Sequence, residues 1–338
     1  MSLLKNIYYQ STSFLPTGVV KKFSATYPLL PYHHLVTNEN VSHVQQLYPY
    51  KNVRQFTDDL DYLLKHLHPV SAMEISDAVN RGSRLPKHSF LLTFDDGFRE
   101  LYEVVAPILL KKGVPAVFFI NPAFIDNKEL FYRCKISLLI DHLKTVQITN
   151  TQQEAIVRLT DLQSVQDIIP FLKKITQQNK QLLNEIAAVL SFSFTDYLAT
   201  KKPFLTQQQL HELAAQGFAL GGHSWDHPYY HLLSEDEQIQ QTIQSGEYVR
   251  TIFQQPMKLF SFPHYDTPIP QSFFDRLHNE WNPDLLFGIQ NQKEELQNRM
   301  LHRFNAERPH LPMSKQLNGV LLLTFLQKLM GKSQINRH

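Results

Sequence analysis

The sequence predicts an α/β fold made of βα units, and three observations carry that prediction. Short apolar runs, typical of buried strands, alternate with segments whose apolar residues recur at helical spacing. Capping residues and glycines mark where these segments begin and end. At 338 residues, with 43% hydrophobic and 19% charged residues, the chain can bury a large core as one α/β barrel or as two domains.

The first third of the chain shows the alternation clearly. Residues 29–36 and 90–94 are predicted strands, and the segment between them carries apolar residues at helical spacing. A helix should follow the second strand and end at Gly113, a typical C′ residue. Pro107 lies inside that helix and should kink or shorten it. Residues 116–120 then form a buried strand.

Later elements have clear start and stop signals. Capping boxes predict helix starts at Thr206 and Ser234, and Gly217 should end the first of these helices. Residues 218–222 form the strand between them. Further short apolar runs that complete the strand set lie at 257–262, 285–289 and 300–304.

The segment 126–203 departs from the βα pattern. It is rich in Gln, Leu and Ile, shows helical spacing, and is longer than a single βα unit requires. We interpret it as a helical insertion that packs against the rest of the fold and shapes a cleft. The alternative is that it only adds bulk or a dimer surface.

Two short motifs carry chemistry. The strand 90–94 runs directly into Asp95 and Asp96, and two adjacent carboxylates are costly unless a cation lies between them or one is protonated. His223 and His227 follow the strand 218–222, four residues apart, in a loop between Gly and Pro. Two histidines at that spacing, together with a carboxylate, can build a divalent metal site. Both motifs lie at strand ends, where the catalytic groups of βα barrels gather.

These motifs resemble a known family. Thr-Phe-Asp-Asp-Gly at residues 93–97, followed by His-Ser-x-x-His-Pro at 223–228, is similar to the first two motifs of the NodB-type polysaccharide deacetylases, carbohydrate esterase family four. Tyr32-His33 and the segment 260–265 agree with that pattern, and the resemblance covers roughly residues 30–310. It implies a distorted (β/α) barrel of the NodB-homology type, here with a helical insertion at 126–203 inside a single catalytic domain, 1–338.

The resemblance also implies an activity and a division of roles. The expected reaction removes an acetyl group from an N-acetylated sugar of a polysaccharide or glycan precursor, with Asp95 as the base. Asp96, His223 and His227 are the implied ligands of Zn²⁺ or of another divalent metal such as Co²⁺, Ni²⁺ or Mn²⁺.

The proton donor has two candidates. His33 follows Tyr32 at the end of the first predicted strand and resembles a histidine that reaches the active site in a subset of the family. His34 should then point to the opposite face of the strand. His302 lies near the position of the family's general acid, but the spacing does not match cleanly, and a rim residue is the alternative.

The third family motif differs here at one position. Members often have an arginine two residues before the proline, and this chain has Ser261 before Pro263. The turn can still supply a backbone N–H, from His264 or Tyr265, to stabilise an oxyanion. A plain loop is the alternative.

Composition limits the partners. A net charge of +2 gives no reason to expect nucleic-acid binding, and the lone Cys134 fits a reducing compartment. No stretch is long enough to span a membrane, and the N-terminus has no signal-peptide pattern, so a cytoplasmic protein is expected. The apolar segment 320–330 predicts a core helix, with a homo-oligomer contact or a peripheral membrane contact as alternatives.

Two other functions remain open at this stage. One is hydrolysis of a non-sugar amide C–N bond, because a fold does not fix a substrate. The other is a non-catalytic glycan-binding relative, suggested by the missing arginine and the unclear acid. The retained Asp95 favours an enzyme, because a binding module has no use for a base at that position.

Overall fold

The computed structural model describes residues 28–337, and its centre is a parallel β-sheet. In chain order the strands are β1 (Pro31–His33), β2 (His68–Pro69), β3 (Ser89–Phe90), β4 (Leu92–Phe94), β5 (Ala116–Ile120), β6 (Ala219–Gly222), β7 (Leu259–Ser261), β8 (Leu285–Gly288), β9 (Glu294–Glu295), β10 (Met300–His302) and β11 (Phe304–Asn305). Strands β2 and β3 pair separately. The other nine follow the order β11-β1-β4-β5-β6-β7-β8-β10-β9, and only β9 pairs antiparallel.

One stretch of chain closes this sheet into a barrel. Strand β10 pairs with β8, and β11, which begins two residues after β10 ends, pairs with β1. The backbone N–H of Arg303 donates to Gly288 O, and that of Phe304 donates to Leu30 O, so adjacent residues bond to opposite sides. Residues 300–305 therefore form the segment that pairs with β8 on one side and β1 on the other and closes the barrel. The distorted (β/α) barrel expected from the sequence is confirmed.

Helices surround the barrel and fill the connections. They are α1 (Val53–His66), α2 (Ala72–Arg81), α3 (Ala106–Lys112), α4 (Tyr132–Thr145), α5 (Asn150–Thr160), α6 (Ile168–Leu172), α7 (Leu182–Val189), α8 (Phe194–Lys201), α9 (Gln207–Ala215), α10 (Glu235–Ile252), α11 (Gln271–Glu280) and α12 (Met313–Leu329). Short 3₁₀ segments lie at Pro122–Asn127, Val165–Asp167, Gln177–Asn179, Tyr230–Leu232 and Leu296–Asn298. Apolar faces of α1, α3, α9 and α12 share one buried cluster with β4 and β5.

The predicted helix signals are present. Thr206 and Ser234 each form a capping box, with Gln209 and Glu237 respectively, at the starts of α9 and α10. Gly113 ends α3 in the left-handed conformation, with φ of 64°. Before Pro107, the segment Leu101–Val105 is π-helical. The proline thus alters the helix at the expected place, by widening one turn rather than by ending the helix.

Helices α4 to α8 lie between β5 and β6 and have a core of their own. Leu139, Ile156, Leu172 and Ile186 are buried in one apolar cluster that also includes residues of the loop after β1. This cluster is distinct from the one that β4 and β5 share with α1, α3, α9 and α12. We propose that residues 126–203 form a helical insertion within one catalytic domain.

The C-terminal helix α12 is partly a core helix. Leu317, Val320 and Leu321 are buried in the barrel's apolar cluster, whereas Leu329 is 69% exposed and Met330 after it is 58% exposed. Across residues 28–337, no helix combines the length and the apolar character needed to cross a bilayer.

Candidate active site

Neighbouring strand ends deliver the acidic and histidine motifs to one place. Strand β4 runs into Asp95 and Asp96, and β6 runs into His223. Strands β4, β5 and β6 are parallel neighbours, so their carboxyl ends lie at the same end of the barrel. Gly222 permits this packing, because a Cβ there would lie 2.7 Å from the backbone nitrogen of Gly246 in α10. The sequence thus brings both motifs together through the strand order.

Asp96, His223 and His227 converge. Oδ1 of Asp96 lies 3.5 Å from Nε2 of His223 and 3.2 Å from Nε2 of His227. All three side chains are buried, and Asp96 Oδ1 makes no hydrogen bond to the part of the chain described. Buried polar atoms in proteins normally have partners. Two imidazole nitrogens and a carboxylate oxygen around one point fit the donor set of a three-ligand catalytic Zn²⁺ site.

The neighbours of the two histidines orient them for such a role. His223 Nδ1 lies 2.8 Å from the carbonyl oxygen of Ser261, which can only accept, so Nδ1 carries the proton and Nε2 keeps its lone pair. Ser224 Oγ accepts a hydrogen bond of 3.1 Å from the backbone N–H of His227, which holds the loop. Asp96, Ser224 and His227 all have positive φ, from 61° to 72°. Left-handed non-glycine residues clustered this way are typical of functional sites.

Asp95 is held by an arginine. Nη1 and Nη2 of Arg303 donate to the two carboxylate oxygens of Asp95 at 2.7 and 2.8 Å, a bidentate pair. Nη2 also donates to Ser261 Oγ at 2.6 Å, and Arg303 is fully buried. Burial raises the pKa of Asp95, but the charge and the hydrogen bonds of Arg303, together with the neighbouring histidines, outweigh burial, so the pKa lies below its ordinary value. Asp95 is therefore a carboxylate at neutral pH.

A second charged pair lies nearby. His34 Nδ1 is 2.8 Å from Oε2 of Glu307, and Oε1 of Glu307 accepts from the backbone N–H groups of His34 and Leu35. Burial lowers the pKa of His34, but Glu307 outweighs it, with help from Asp95 and Asp96, and raises that pKa to about 9. His34 is therefore protonated at neutral pH.

These groups line a single cavity of about 180 Å³. Asp95, Asp96, His223, His227 and His34 all face it, and its remaining walls come from Tyr32, Leu47, Tyr48, Phe131, Arg133, Phe262, His264 and Ile289. A larger groove of about 550 Å³ includes Ala116, Ala219 and Leu259, at the other ends of the strands, and its lining contains no carboxylate. The smaller cavity is therefore the one that brings the carboxylates and the histidines together.

Comparison with known proteins identifies the family of this chain. The family model described as polysaccharide deacetylase matches residues 82–268, which is more than half of the chain. The chain belongs to the polysaccharide deacetylase family. It is accordingly a hydrolase that acts on a carbon–nitrogen bond other than a peptide bond. Among curated protein sequences there is no significant match.

Solved structures share the fold of this deacetylase at low identity. The Streptococcus pyogenes deacetylase PplD, in complex with acetate, is 15% identical, with a TM-score of 0.56 over 87% of this chain and 97% of that one. IcaB from Ammonifex degensii is 15% identical, with a TM-score of 0.55 over 88% and 98%. A de-N-acetylase from Aggregatibacter actinomycetemcomitans is 14% identical, with a TM-score of 0.52 over 82% and 94%. At such identities the likeness shows the fold alone.

The structure corrects the assignment of His33. His33 is buried against Phe56 and Phe94, outside the cavity, and His34 faces the cavity instead. The expectation that these neighbours face opposite ways is met, but which one faces inward was predicted wrongly. Tyr32 packs on the guanidinium of Arg303 inside the barrel, so His34, two residues on, also faces inward.

His302 also lies outside the cavity. Its Nε2 is 2.8 Å from Glu295 Oε2, and its Nδ1 accepts from the backbone N–H of Gln290. Because the next residue, Arg303, takes the inward position, His302 faces outward. His302, Glu295 and Asp266 could geometrically hold a metal, but Arg337 bridges the two carboxylates and already supplies their positive charge. The placement of His302 as the general acid was therefore wrong.

The third-motif turn contributes one side chain to the cavity. His264 lines it and stacks on Tyr229 at 3.7 Å, whereas Tyr265 is 39% exposed and its hydroxyl bonds to His231. The Tyr265 side chain therefore does not reach the cavity. The backbone N–H groups of His264 and Tyr265 have no acceptor among the described residues. They remain candidates for the oxyanion contact.

Reasoning from sequence missed Arg303 and Glu307, the partners of Asp95 and His34. Arg303 takes the place of the expected motif-three arginine, and Ser261, which stands at that position, contacts it. Glu307 pairs with His34 from 273 residues away. One signal could have identified Arg303: it is an arginine in an apolar strand, and arginine is almost never fully buried unless it is paired.

Proposed function

We propose that this deacetylase removes the acetyl group from an N-acetylated sugar of a polysaccharide or glycan precursor, in a reaction that requires a divalent metal. One observation carries the proposal: an ionised Asp95, a convergent Asp96–His223–His227 set and a protonated His34 line one cavity. Structural neighbours include a deacetylase with acetate and a de-N-acetylase, which supports acetyl removal as the reaction.

The protein groups divide the reaction between them. Asp95, held in place by Arg303, accepts a proton from the water that attacks the acetyl carbonyl. The backbone N–H of His264 or Tyr265 donates to the oxygen on which negative charge develops. The carbon–nitrogen bond then breaks as His34 donates a proton to the leaving amine, giving acetate and a free amino sugar. Asp96, His223 and His227 would hold the metal, which supplies Lewis acidity that polarises the carbonyl and makes the water more acidic.

A covalent route finds little support in the cavity. Ser224 lies in the ligand loop with its hydroxyl engaged by the His227 N–H, and Cys134 is buried in the insertion core. Burial raises the pKa of Cys134 well above its ordinary value, so it is not a ready thiolate. Neither side chain lines the cavity. Direct attack by water is the mechanism that these residues favour.

The proposed activity predicts acetate release from N-acetylglucosamine oligosaccharides by metal-replete protein. Chelator should abolish the release, and added Zn²⁺ or Co²⁺ should restore it, because the proposed reaction needs the ion to polarise the carbonyl and to make the water more acidic. Enzymatic acetate determination, with parallel detection of free amines, is the measurement. Chelator-insensitive release would contradict the metal requirement. Release from simple amides but from no acetylated sugar would favour hydrolysis of a non-sugar amide C–N bond.

A second prediction concerns His34 as the proton donor. His34→Gln should lower kcat by roughly 10²–10⁴-fold, the usual contribution of a general acid. Because the acid works in its protonated form, kcat should fall as pH rises through the pKa of about 9. Glu307 raises that pKa, so Glu307→Gln should move the alkaline limb of the kcat profile to lower pH. His33→Gln is the matched control, since that ring faces away from the cavity. An unchanged profile in His34→Gln would exclude this role.

A further inference from the structure

Arg133 enters the cavity from the helical insertion. It lies in the first turn of α4, is half-buried and lines the cavity with the two aspartates. Its Nη1 is 3.4 Å from the hydroxyl of Tyr229 and 3.5 Å from Nδ1 of His264. Both contacts are long, and neither the Tyr229 hydroxyl nor the His264 ring nitrogen is a carboxylate oxygen.

Arg133 is the unbalanced cation of this cavity. In the part of the chain described, no carboxylate oxygen lies within 4.0 Å of its guanidinium. His34, which also lines the cavity, is balanced by Glu307, and Arg303, which lies behind Asp95, is balanced by that carboxylate. A guanidinium stays protonated at any physiological pH and offers five donors in a planar fork. Among residues 28–337, most of the donors of Arg133 are therefore unused.

The balance of charge around the cavity also favours the binding of an anion. Asp95 and Arg303 cancel, as do His34 and Glu307, which leaves Asp96 and Arg133. The double positive charge of a divalent ion at the Asp96 site would exceed the single negative charge of the Asp96 carboxylate. With that ion in place, the cavity would carry a net positive charge, and a positive cleft attracts anions.

We propose that Arg133 determines specificity by binding an anionic group, a carboxylate or a phosphate, that the N-acetylated substrate carries near its acetamido group. The substrate class would then be an acidic glycan or a phosphate-bearing glycan precursor. Carboxylate and phosphate share the oxyanion geometry that a guanidinium binds in bidentate fashion. This inference rests on the proposed function, and it gives the insertion a role in substrate choice.

The neighbours of Arg133 suit it for this role. Tyr229 and His264 stack almost parallel, at 17° and 3.7 Å, and both contact its guanidinium. The arginine also arises from the first turn of a helix of 14 residues rather than from a loop. A side chain that is already positioned loses little conformational freedom when it binds a ligand.

The test compares three acetylated substrates: chitotetraose, which is neutral, a fragment containing N-acetylmuramic acid, which adds a carboxylate, and UDP-N-acetylglucosamine, which adds phosphates. Arg133→Ala should raise KM for at least one anionic substrate by roughly 10- to 100-fold, the range for hydrogen bonds to charged groups. KM for chitotetraose should change little. Lys144→Ala is the charge-matched control, because Lys144 is exposed on the same helix, about 16 Å along its axis.

The outcomes are distinct. A KM effect confined to the muramic-acid fragment identifies a carboxylate, and one confined to the nucleotide sugar identifies a phosphate. An equal loss on all three substrates would overturn the proposal, because Arg133 would then contact a part common to every sugar. The proposal would also be overturned if Lys144→Ala reproduced the KM effect, because the effect would then come from the net charge of the protein and not from a contact with Arg133.

A binding measurement separates this inference from the proposed function. Calorimetric titration of each compound into Asp95→Asn protein, with and without Arg133→Ala, requires no turnover. If none of the compounds is deacetylated but an anionic one binds in an Arg133-dependent and salt-sensitive manner, the anion site stands while the proposed function fails. If neither anionic compound binds more tightly with Arg133 than without it, the anion site is refuted.

Discussion

Replacing Asp95 by asparagine should lower kcat by roughly 10²–10⁴-fold while the divalent metal stays bound. The amide keeps the shape of the side chain and one acceptor for Arg303, but it cannot take a proton from water. Asp96→Asn should instead lose metal and activity together, because Asp96 Oδ1 is the oxygen that faces the two histidine nitrogens. Elemental analysis gives the metal content, and acetate release gives kcat.

The double variant His223→Ala, His227→Ala provides the reference for a protein without the proposed metal site. Its metal content should fall to background, and Asp96→Asn should approach it. If Asp95→Asn released metal as readily as Asp96→Asn, the two carboxylates would have to share the ion. If the histidine double variant kept full occupancy, the ion would be held elsewhere.

Removing the guanidinium of Arg303 should damage both stability and turnover. Arg303→Ala leaves Asp95 buried without its counter-ion, and breaking a buried pair in this way costs about 3–5 kcal/mol in the free energy of unfolding. The carboxylate also loses both of its oriented donors, and misplacement of a base by about 1 Å can lower turnover by roughly 10²-fold. Chemical denaturation and kcat measure the two effects separately. Wild-type kcat in folded Arg303→Ala protein would exclude the orienting role.

A rescue variant tests whether a guanidinium placed beside Asp95 from another position is sufficient to restore turnover. Ser261 Oγ lies 2.6 Å from Arg303 Nη2, and Ser261 stands two residues before Pro263, where the family resemblance leads us to expect an arginine. In the double variant Arg303→Ala, Ser261→Arg, the new side chain can extend into the space that Arg303 leaves. We expect partial recovery of kcat. Arg303→Lys should recover stability better than turnover, because an ammonium cannot bind both carboxylate oxygens in the fork geometry.

The residues that the sequence brings together locally are those that could be predicted from it. Asp95 and Asp96 are adjacent at a strand end, and His223 and His227 lie four residues apart in one loop, so each pair carries its own signal. The strand order then places the pairs together, as the resemblance implied. Capping boxes were equally readable, because a cap depends only on residues three positions apart.

The partners of these residues could not be predicted, because they depend on how the barrel closes. Arg303 is 208 residues from Asp95, and no local pattern relates them. The errors at His33 and His302 have the same origin. A strand fixes that alternate residues face opposite sides, but only the closed barrel decides which side is inside. Arg303, once inside, determines the orientation of its neighbour His302 and, through Tyr32, of His34.

The segment 300–305, which closes the barrel, also has a consequence for biosynthesis. Strands β1 and β4 to β8 leave the ribosome before residues 300–305, so the nascent sheet has two unpaired edges until that stretch emerges. Unpaired edges invite pairing with other chains. Arg303 arrives on the same stretch, so Asp95 gains its counter-ion only when the ring closes. A translation product that stops before residue 300 would therefore be an aggregation-prone and inactive species, and a ribosome pause there would prolong the need for a chaperone.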